Sequence, residues 1–135
     1  MPLVTISLRK GTSPEHRRAL ADSIHRAMMD ALGIPADDRF QLVLEHEPEN
    51  MIHDPVFFGV ERSQQSVFVQ IVINGREPAR KRELCAAIVD HLGKSPGVRK
   101  EDIFIGLGEV APENWWAFAR PVGAKGGEAR AGGSR

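Results

Sequence analysis

The second half of this sequence repeats the first half at an offset of 64 residues, and the repeat needs no gap. A period of this length that occurs only twice indicates two fused copies of one module rather than a solenoid. We therefore expect one domain over residues 1–135, with repeats at about 2–50 and 66–114. The identical pairs include Gly11 and Gly75, Pro14 and Pro78, Arg18 and Arg82, Leu20 and Leu84, Ile24 and Ile88, Gly33 and Gly97, Asp38 and Asp102, Phe40 and Phe104, and Glu45 and Glu109.

Each repeat has the pattern of a strand, a helix and a second strand. The first strand alternates apolar and polar residues, as a half-buried strand does, and its counterpart is an almost unbroken apolar run. Each helix begins with a proline, where the missing N–H is tolerated, and carries leucine and isoleucine on one face. The predicted strands are Leu3–Arg9, Arg39–Glu45, Val67–Ile73 and Ile103–Glu109, and the predicted helices are about Pro14–Leu32 and Pro78–Leu92.

Two strands joined by a helix of this length are expected to run parallel, with a right-handed crossover. The sequence therefore predicts an α/β (α+β) fold in which a duplicated β-α-β module forms a four-stranded sheet with two helices on one face. The other sheet face would be apolar and uncovered, which predicts a homo-oligomer. Residues 51–65 are expected to form an ordered connection that can hold a short hairpin, and the Gly-rich stretch 121–135 a mobile tail.

Pro2 stands at the outer end of the first strand, a position that suits a residue without an N–H. If Met1 is removed, as the small second residue favours, Pro2 becomes a secondary amine at the edge of a sheet. Such an amine can act as a catalyst, although many chains begin with Met-Pro and have no chemistry there. A role for Pro2 is a hypothesis that needs support from other residues.

The repeat supplies an internal control, because a residue that serves the fold should recur in the other copy and a residue of a single active site need not. The aligned pairs of interest are Pro2 and Ser66, Arg76 and Thr12, Asn74 and Lys10, Trp115 and Met51, and Asp38 and Asp102. Pro2 and Arg76 have unlike counterparts, which favours function for both. Asp38 recurs as Asp102, so it can be a polar residue of the turn between helix and strand as well as a catalytic residue. Trp115 can equally be a packing residue.

Composition narrows the classes of partner and cofactor. The 18 Lys and Arg balance 18 Asp and Glu, so no electrostatic feature favours nucleic acid or an anionic membrane as a partner. No apolar run suits a signal peptide or a membrane span, and the single cysteine, Cys85, fits the cytoplasm and is expected to be a buried packing residue. Among the five histidines, none has paired metal-ligand spacing, and no phosphate-loop pattern occurs, so neither a metal nor another cofactor is expected. Partly exposed helix positions are expected for His16, His25 and His91.

Four short motifs, in register with the duplication, resemble the tautomerase superfamily: Pro2-Leu3-Val4, Asp37-Asp38-Arg39-Phe40-Gln41, Asn74-Gly75-Arg76 and Glu113-Asn114-Trp115. The resemblance covers about residues 2–118 and is strongest to the fused two-module, trimeric branch, in particular to the malonate semialdehyde decarboxylases. It implies that Pro2 is the catalytic proline, that Asp38 matches the carboxylate of the decarboxylases, and that Arg76 binds the substrate carboxylate. It also implies substrate contacts for Trp115 and Phe118 at an aromatic wall, and for Asn74, which stands where the decarboxylases have a second arginine.

The resemblance is compatible with two enzymatic mechanisms and with one function that is not catalytic. An isomerase would use Pro2 as general base in the keto-enol tautomerisation of a small 2-oxo or dienol carboxylic acid that Arg76 holds. A lyase, the runner-up, would use cationic Pro2 in the decarboxylation or hydration of a 3-oxo acid, with Asp38 orienting water or the reacting carboxylate. In the third reading a trimer binds a small carboxylate without turnover, and a retained Met1 would favour it.

Overall fold

The computed structural model describes residues 2–123 of the chain. Four long strands, two helices and two short hairpins make up this part of the molecule. In chain order the elements are β1 (Leu3–Arg9), α1 (Pro14–Leu32), β2 (Gln41–His46), β3 (Val56–Phe57), β4 (Val60–Glu61), β5 (Val67–Asn74), α2 (Pro78–Lys94), β6 (Ile103–Val110), β7 (Trp116–Ala117) and β8 (Arg120–Pro121). Short 3₁₀ turns occupy Pro48–Asn50, Lys100–Asp102 and Pro112–Asn114.

Helix α1 begins and ends where caps are available. The N–H of His16 donates to the hydroxyl of Ser13 (3.0 Å), and Pro14 takes the first helical position. At the other end Gly33 has a φ of 69°, a left-handed conformation that favours glycine, and its N–H donates to the carbonyl of Met29 (3.0 Å). The bounds predicted for α1 are confirmed.

Helix α2 is two residues longer than predicted and continues through Gly93 to Lys94. The N–H of Ser95 still donates to the carbonyl of His91 (2.9 Å), and the helix stops only before Pro96. Proline lacks an N–H and disfavours helical backbone in the residue before it, which explains the stop. The other differences from prediction are small and lie in β2 (Gln41–His46), the end of β5 (Asn74) and the end of β6 (Val110).

The four long strands form one sheet in the order β2-β1-β5-β6. Strand β1 runs parallel to β2, and β5 runs parallel to β6, while the central pair β1 and β5 is antiparallel. Each parallel pair is bridged by its own helix, so two β-α-β units meet across the middle of the sheet. The predicted fold class is therefore confirmed.

Both helices pack on the same face of the sheet and close a single apolar core. The core includes Val4, Ile6 and Leu8 of β1, Leu20, Ile24 and Met28 of α1, Val67, Val69, Ile71 and Ile73 of β5, and Leu84, Ile88 and Leu92 of α2. Among residues 2–123, no helix covers the opposite face of the sheet, and this face exposes large apolar side chains. Leu42 and Leu44 on β2 and Phe104 on β6 are between 41% and 53% exposed.

The connection between the two modules contains the β3–β4 hairpin, as the sequence allowed. A second hairpin, β7–β8, follows β6. Pro121 ends β8, and Val122 and Gly123 are buried, so residues 121–123 belong to the folded part rather than to the expected tail. The rest of the expected tail, residues 124–135, lies outside the described residues.

Two side chains are buried differently from the expectation. His25 is only 7% exposed, whereas a partly exposed position was expected, because it faces a turn instead of solvent. Cys85 is partly exposed rather than fully buried, and desolvation raises the pKa of its thiol. A thiol with a raised pKa is a poor nucleophile, so packing remains the better account of Cys85. Within residues 2–123, neither helix is long and apolar enough to cross a membrane.

Asp102 is a buried carboxylate with 2% exposure. It links the inter-module connection to the start of β6 by hydrogen bonds. It accepts hydrogen bonds from the N–H of Ser63 (2.6 Å), from the Ser63 hydroxyl (2.7 Å) and from the Ser66 hydroxyl (3.4 Å). Burial by itself would raise the pKa of Asp102, but the Ser63 hydrogen bonds and the charge of Arg99 outweigh it and lower that pKa. The charged form is therefore the one that the fold stabilises.

We expect Asp102→Asn to lower the free energy of unfolding at pH 7 by about 2 to 4 kcal/mol, because hydrogen bonds to a buried charge are lost. A carboxyl whose pKa is lowered by folding stabilises the fold above its unfolded pKa, about 3.9, and this contribution is lost as the pH falls through the lower folded pKa. The difference between the two proteins should hence shrink below about pH 4. Urea unfolding at both pH values measures it, and Asp90→Asn, at an exposed ion pair, is the matched control. Equal effects of the two substitutions would contradict the prediction.

Candidate active site

One end of the sheet gathers the chain segments that hold the predicted catalytic residues. Strands β1 and β2 begin at this end, and β5 and β6 finish at it. Continuing both registers of β1 from Val4 by two residues places Pro2 between Arg39 before β2 and Ile73 in β5. Proline suits this position, since it is the outermost residue of the strand and needs no N–H for the ladder.

Pro2 itself is buried. It follows the alternation of β1, in which Val4, Ile6 and Leu8 are buried on the helix-covered face. The ring of Pro2 therefore continues the apolar core to the end of the sheet.

Asp38 lies next to this position, in the turn that leads into β2. Its side chain is buried, with 2% exposure, and its N–H donates to the carbonyl of Pro35 (3.0 Å). His25 on α1 supports the same turn, because its Nε2 lies 3.0 Å from the carbonyl oxygen of Ala36. A carbonyl oxygen only accepts, so Nε2 carries the hydrogen in this bond. Sequence reasoning missed His25, and the available signal was that it aligns with Val89 in the repeat.

Arg76 follows β5 at the same end of the sheet, and its backbone and side chain have different partners. The backbone N–H donates to Oε2 of Glu109 (3.1 Å), whereas Nη1 donates only to the nearby carbonyls of Asn74 (2.9 Å) and Gly75 (3.2 Å). A Cβ at Gly75 would lie 3.0 Å from Oε2 of Glu109, so a larger residue here would displace the Glu109 carboxylate slightly. Within the part of the chain that the structure describes, the guanidinium bonds only to these two carbonyls of its own turn and to no carboxylate.

The carboxylate of Glu109 stabilises this turn through hydrogen bonds. It accepts a hydrogen bond from Nζ of Lys81 (2.8 Å), and this bond and the N–H of Arg76 lower the pKa of Glu109. The first module has the same arrangement, since Arg17 donates to Glu45 (2.9 Å) at the corresponding positions. This pair serves the fold, because it recurs, whereas the arginine at 76 does not.

A hydrogen bond connects the ends of β5 and β6. Nε1 of Trp115 donates to Oδ1 of Asn74 at 2.5 Å. Because the indole nitrogen can only donate, this bond fixes which end of the Asn74 amide faces Trp115. The NH₂ group of Asn74 therefore points away from Trp115, where its N–H groups can donate to an oxygen of a ligand.

Trp115 is contacted from the other side by Val122 and Gly123. The N–H of Val122 donates to the Trp115 carbonyl (3.1 Å). A Cβ at Gly123 would lie 2.4 Å from Cδ1 of Trp115 and 2.6 Å from the carbonyl oxygen of Pro112, so only glycine fits there. The sequence contained no signal for Gly123, which lies in the stretch expected to be a tail.

Phe118 is not brought together with these residues within one chain. It lies at the turn of the β7–β8 hairpin, is 81% exposed and has a φ of 56°. The neighbouring Trp116 is 66% exposed. The structure thus gathers Pro2, Asp38, Asn74, Arg76 and Trp115 at one end of the sheet and leaves Phe118 on the surface.

At this end of the sheet lie a buried proline, a buried carboxylate in the turn before β2, and an amide and a guanidinium where β5 ends. A guanidinium and an amide N–H are donors suited to carboxylate and carbonyl oxygens. Two sequence models of protein families, both described as tautomerase enzyme, match the chain over residues 2–61 and 38–118. The chain belongs to the tautomerase family. Its predicted place in the fused two-module branch is likewise confirmed.

Comparison with individual proteins supports the same placement of this tautomerase-family chain. It is 33% identical over 116 residues to Probable tautomerase YusQ of Bacillus subtilis (strain 168), covering 85% of this chain and 91% of YusQ. Among solved structures it is similar to FG41 malonate semialdehyde decarboxylase inhibited by 3-bromopropiolate, with a TM-score of 0.82, 36% identity and coverage of 88% and 92%. A fused 4-OT protein solved as a symmetric trimer shares the fold, with a TM-score of 0.71, 20% identity and coverage of 90% and 95%.

Proposed function

We propose that this tautomerase-family protein is an isomerase that interconverts the enol and keto forms of a small 2-oxo or dienol carboxylic acid, with Pro2 as general base. The observation that carries the proposal is that Pro2 and Arg76 belong to one sheet end and have unlike counterparts in the repeat. A residue that serves the fold is expected in both repeats. Residues that lie at the same site and occur in only one repeat are therefore candidates for catalysis or substrate binding. The family, which is one of enzymes, agrees with turnover.

In the proposed mechanism, Met1 is removed and the Pro2 nitrogen is neutral near pH 7. A free α-amino group titrates at about 7.7 to 8.0, and burial and the charge of Arg76 both lower the pKa of this amine. Neutral Pro2 takes the proton of the enol hydroxyl, the O–H electrons form the carbonyl, and the C=C electrons take the proton back from Pro2 at carbon. No co-reactant is needed, because one proton leaves oxygen and one arrives at carbon.

Arg76 and Asn74 would bind the acid during this transfer. The guanidinium pairs with the carboxylate and stabilises charge that develops on the 2-oxo oxygen. The NH₂ group of Asn74, oriented by Trp115, offers a further donor to the same oxygens. Trp115 supplies an aromatic wall for the carbon chain of the substrate.

A decarboxylase or hydratase of a 3-oxo acid is the second candidate, because Asp38 is a buried carboxylate in the turn before β2, at the same sheet end as Pro2. A carboxylate neighbour raises the pKa of an amine and favours cationic Pro2, which polarises the carbonyl or forms an iminium. The 36% identity to a malonate semialdehyde decarboxylase also favours this candidate. Asn74 instead of a second arginine favours the tautomerase.

The dependence of rate on pH separates the two candidates. For the tautomerase we expect kcat/KM for enol ketonisation, followed by ultraviolet absorbance, to fall below about pH 6 to 7 as Pro2 becomes protonated. A lyase with cationic Pro2 should release carbon dioxide from a 3-oxo acid and lose activity above about pH 9. A rate that is independent of pH over this range would contradict both mechanisms.

The intact mass of the purified protein tests the non-catalytic reading. A mass without Met1 supports an enzyme, because only then is the Pro2 nitrogen a basic amine. A retained Met1 would leave that nitrogen in an amide bond and would favour a trimer that binds a carboxylate without turnover. Cys85, as a lone thiol, is consistent with the cytoplasmic location that we propose for the protein.

The uncovered sheet face and the exposed hairpin residues support assembly of three copies. Phe58 and Phe118, at the turns of the two hairpins, are 91% and 81% exposed, in addition to the apolar residues of β2 and β6. Apolar surface of this extent is usually covered by a partner. In the proposed homotrimer, Phe118 would reach the substrate pocket from a neighbouring subunit or would pack in the interface. Nucleic acid and membranes are not part of the proposal.

A further inference from the structure

The end of the sheet opposite the candidate active site holds a cavity of about 460 Å³. Its lining comes from the end of β1, the start of β5, the first turn of α1 and the loop before β6. The repeat relates this cavity to the candidate active site, because Ser66 and Asp102 stand here in the positions of Pro2 and Asp38. A volume of this size suits a small molecule.

The charged residues that line the cavity are three cations and one carboxylate, together with one histidine. They are Arg9, Lys10, Arg99, Asp102 and His16. Asp102 is already engaged by Ser63 and Ser66 and is not available to pair with all three cations. Counting these charges with neutral histidine leaves a net positive lining, which attracts an anion.

Arg9 contributes a half-buried charge without a carboxylate partner among residues 2–123. Its Nη atoms donate to the carbonyls of Met51 (2.7 Å) and Gln64 (3.0 Å), and one of them lies 3.3 Å from Nε2 of His53. Its Nε atom is buried and has no hydrogen-bond partner in the described part of the chain. Carbonyl oxygens satisfy N–H groups but do not neutralise the guanidinium, so the positive charge persists at the wall of the cavity.

The two other cations are loosely held. Arg99 lies 3.7 Å from both Glu101 and Asp102, beyond hydrogen-bond distance, and its Nη2 makes one long hydrogen bond, 3.4 Å, to the carbonyl of Glu61. Lys10 pairs with Glu47 at 2.6 Å, but both side chains are about half exposed, and exposed pairs contribute little to stability. Either cation can leave its present partner and bind an anion with only a small loss of stabilising free energy.

We propose that this cavity binds a small organic carboxylate and does not convert it. The cations hold the carboxylate, and the apolar part of the lining, which includes Leu8, Val67 and Val98, takes a short carbon chain. Turnover of the kind proposed for the other end is excluded, because Ser66 provides a hydroxyl where Pro2 could provide an amine. This inference stands independently of the proposed function, since it uses neither Pro2 nor Arg76.

The test is a titration of the isotope-labelled full-length protein with butyrate, a saturated acid that has no enol form. We expect the backbone amide signals of Gly11, Gly97 and Val98 to shift in a saturable way. The variant Lys10→Gln/Arg99→Gln should weaken this binding at least about tenfold, because two charge-assisted contacts are lost. The matched control is Arg82→Gln/Lys94→Gln, which removes two exposed charges of α2 outside the cavity.

Three outcomes would overturn the proposal. The first is a butyrate response confined to the Pro2 end, and the second is equal weakening by the control pair, which would indicate general charge attraction. The third is a response to inorganic phosphate with none to butyrate. The response should persist in Arg76→Gln, which separates this site from the candidate active site. Each single variant, Lys10→Gln or Arg99→Gln, provides the same comparison if the double variant does not fold.

Discussion

Replacing Pro2 by alanine should reduce kcat for enol ketonisation by a factor of about 10² to 10⁴, the contribution that general acid–base catalysis typically makes. Alanine would leave a primary amine on a more flexible residue, which differs from proline in basicity and in the direction of its lone pair. The loss should appear mainly in kcat, since the substrate carboxylate is held by other residues. Stopped-flow absorbance of the enol measures it.

Pro14→Ala is the matched control for this substitution. Pro14 is the first residue of α1 at the far end of the sheet, so its replacement changes a proline without touching the proposed chemistry. Circular dichroism should show that both variants are folded, and intact mass should show that Met1 is absent from both. An unchanged kcat in Pro2→Ala would refute both catalytic roles of the proline, as base and as acid.

Replacing Arg76 by glutamine should lower kcat/KM by a factor of about 10² to 10³, because one charge-assisted contact to the carboxylate and to the developing oxyanion is lost. Stability should change little, since it is the backbone N–H of Arg76 that bonds to Glu109, and glutamine keeps that N–H. The guanidinium bonds only to carbonyls of its own turn. Initial rates over a range of substrate concentrations separate KM from kcat.

Arg82→Gln is the control here, because Arg82 is an exposed arginine on α2 that recurs in the repeat as Arg18. A loss of comparable size in both variants would mean that the effect comes from net charge rather than from a contact at position 76. Arg76→Lys should be intermediate, since lysine keeps the charge but cannot make a bidentate pair with a carboxylate.

Much of the architecture could be predicted because its signals are local in the sequence. The alternation in β1, the proline that begins α1 and the glycine after α1 are each readable within a few residues. The duplication then extends every local signal to a second copy. The predicted end of α2 at Leu92 was two residues short, because the helix continues to Lys94, just before Ser95 and Pro96.

The sequence by itself determined that two like β-α-β modules are joined. It also determined that Pro2 and Arg76 each align with an unlike residue in the other module. Only the tertiary structure decided that these two residues lie at the same end of the sheet, because this depends on the antiparallel pairing of β1 with β5. The bond from Trp115 to Asn74, the support of the Asp38 turn by His25 and the packing of Gly123 likewise join distant segments. Such contacts follow from the way strands and helices pack, and no pattern of neighbouring residues records them.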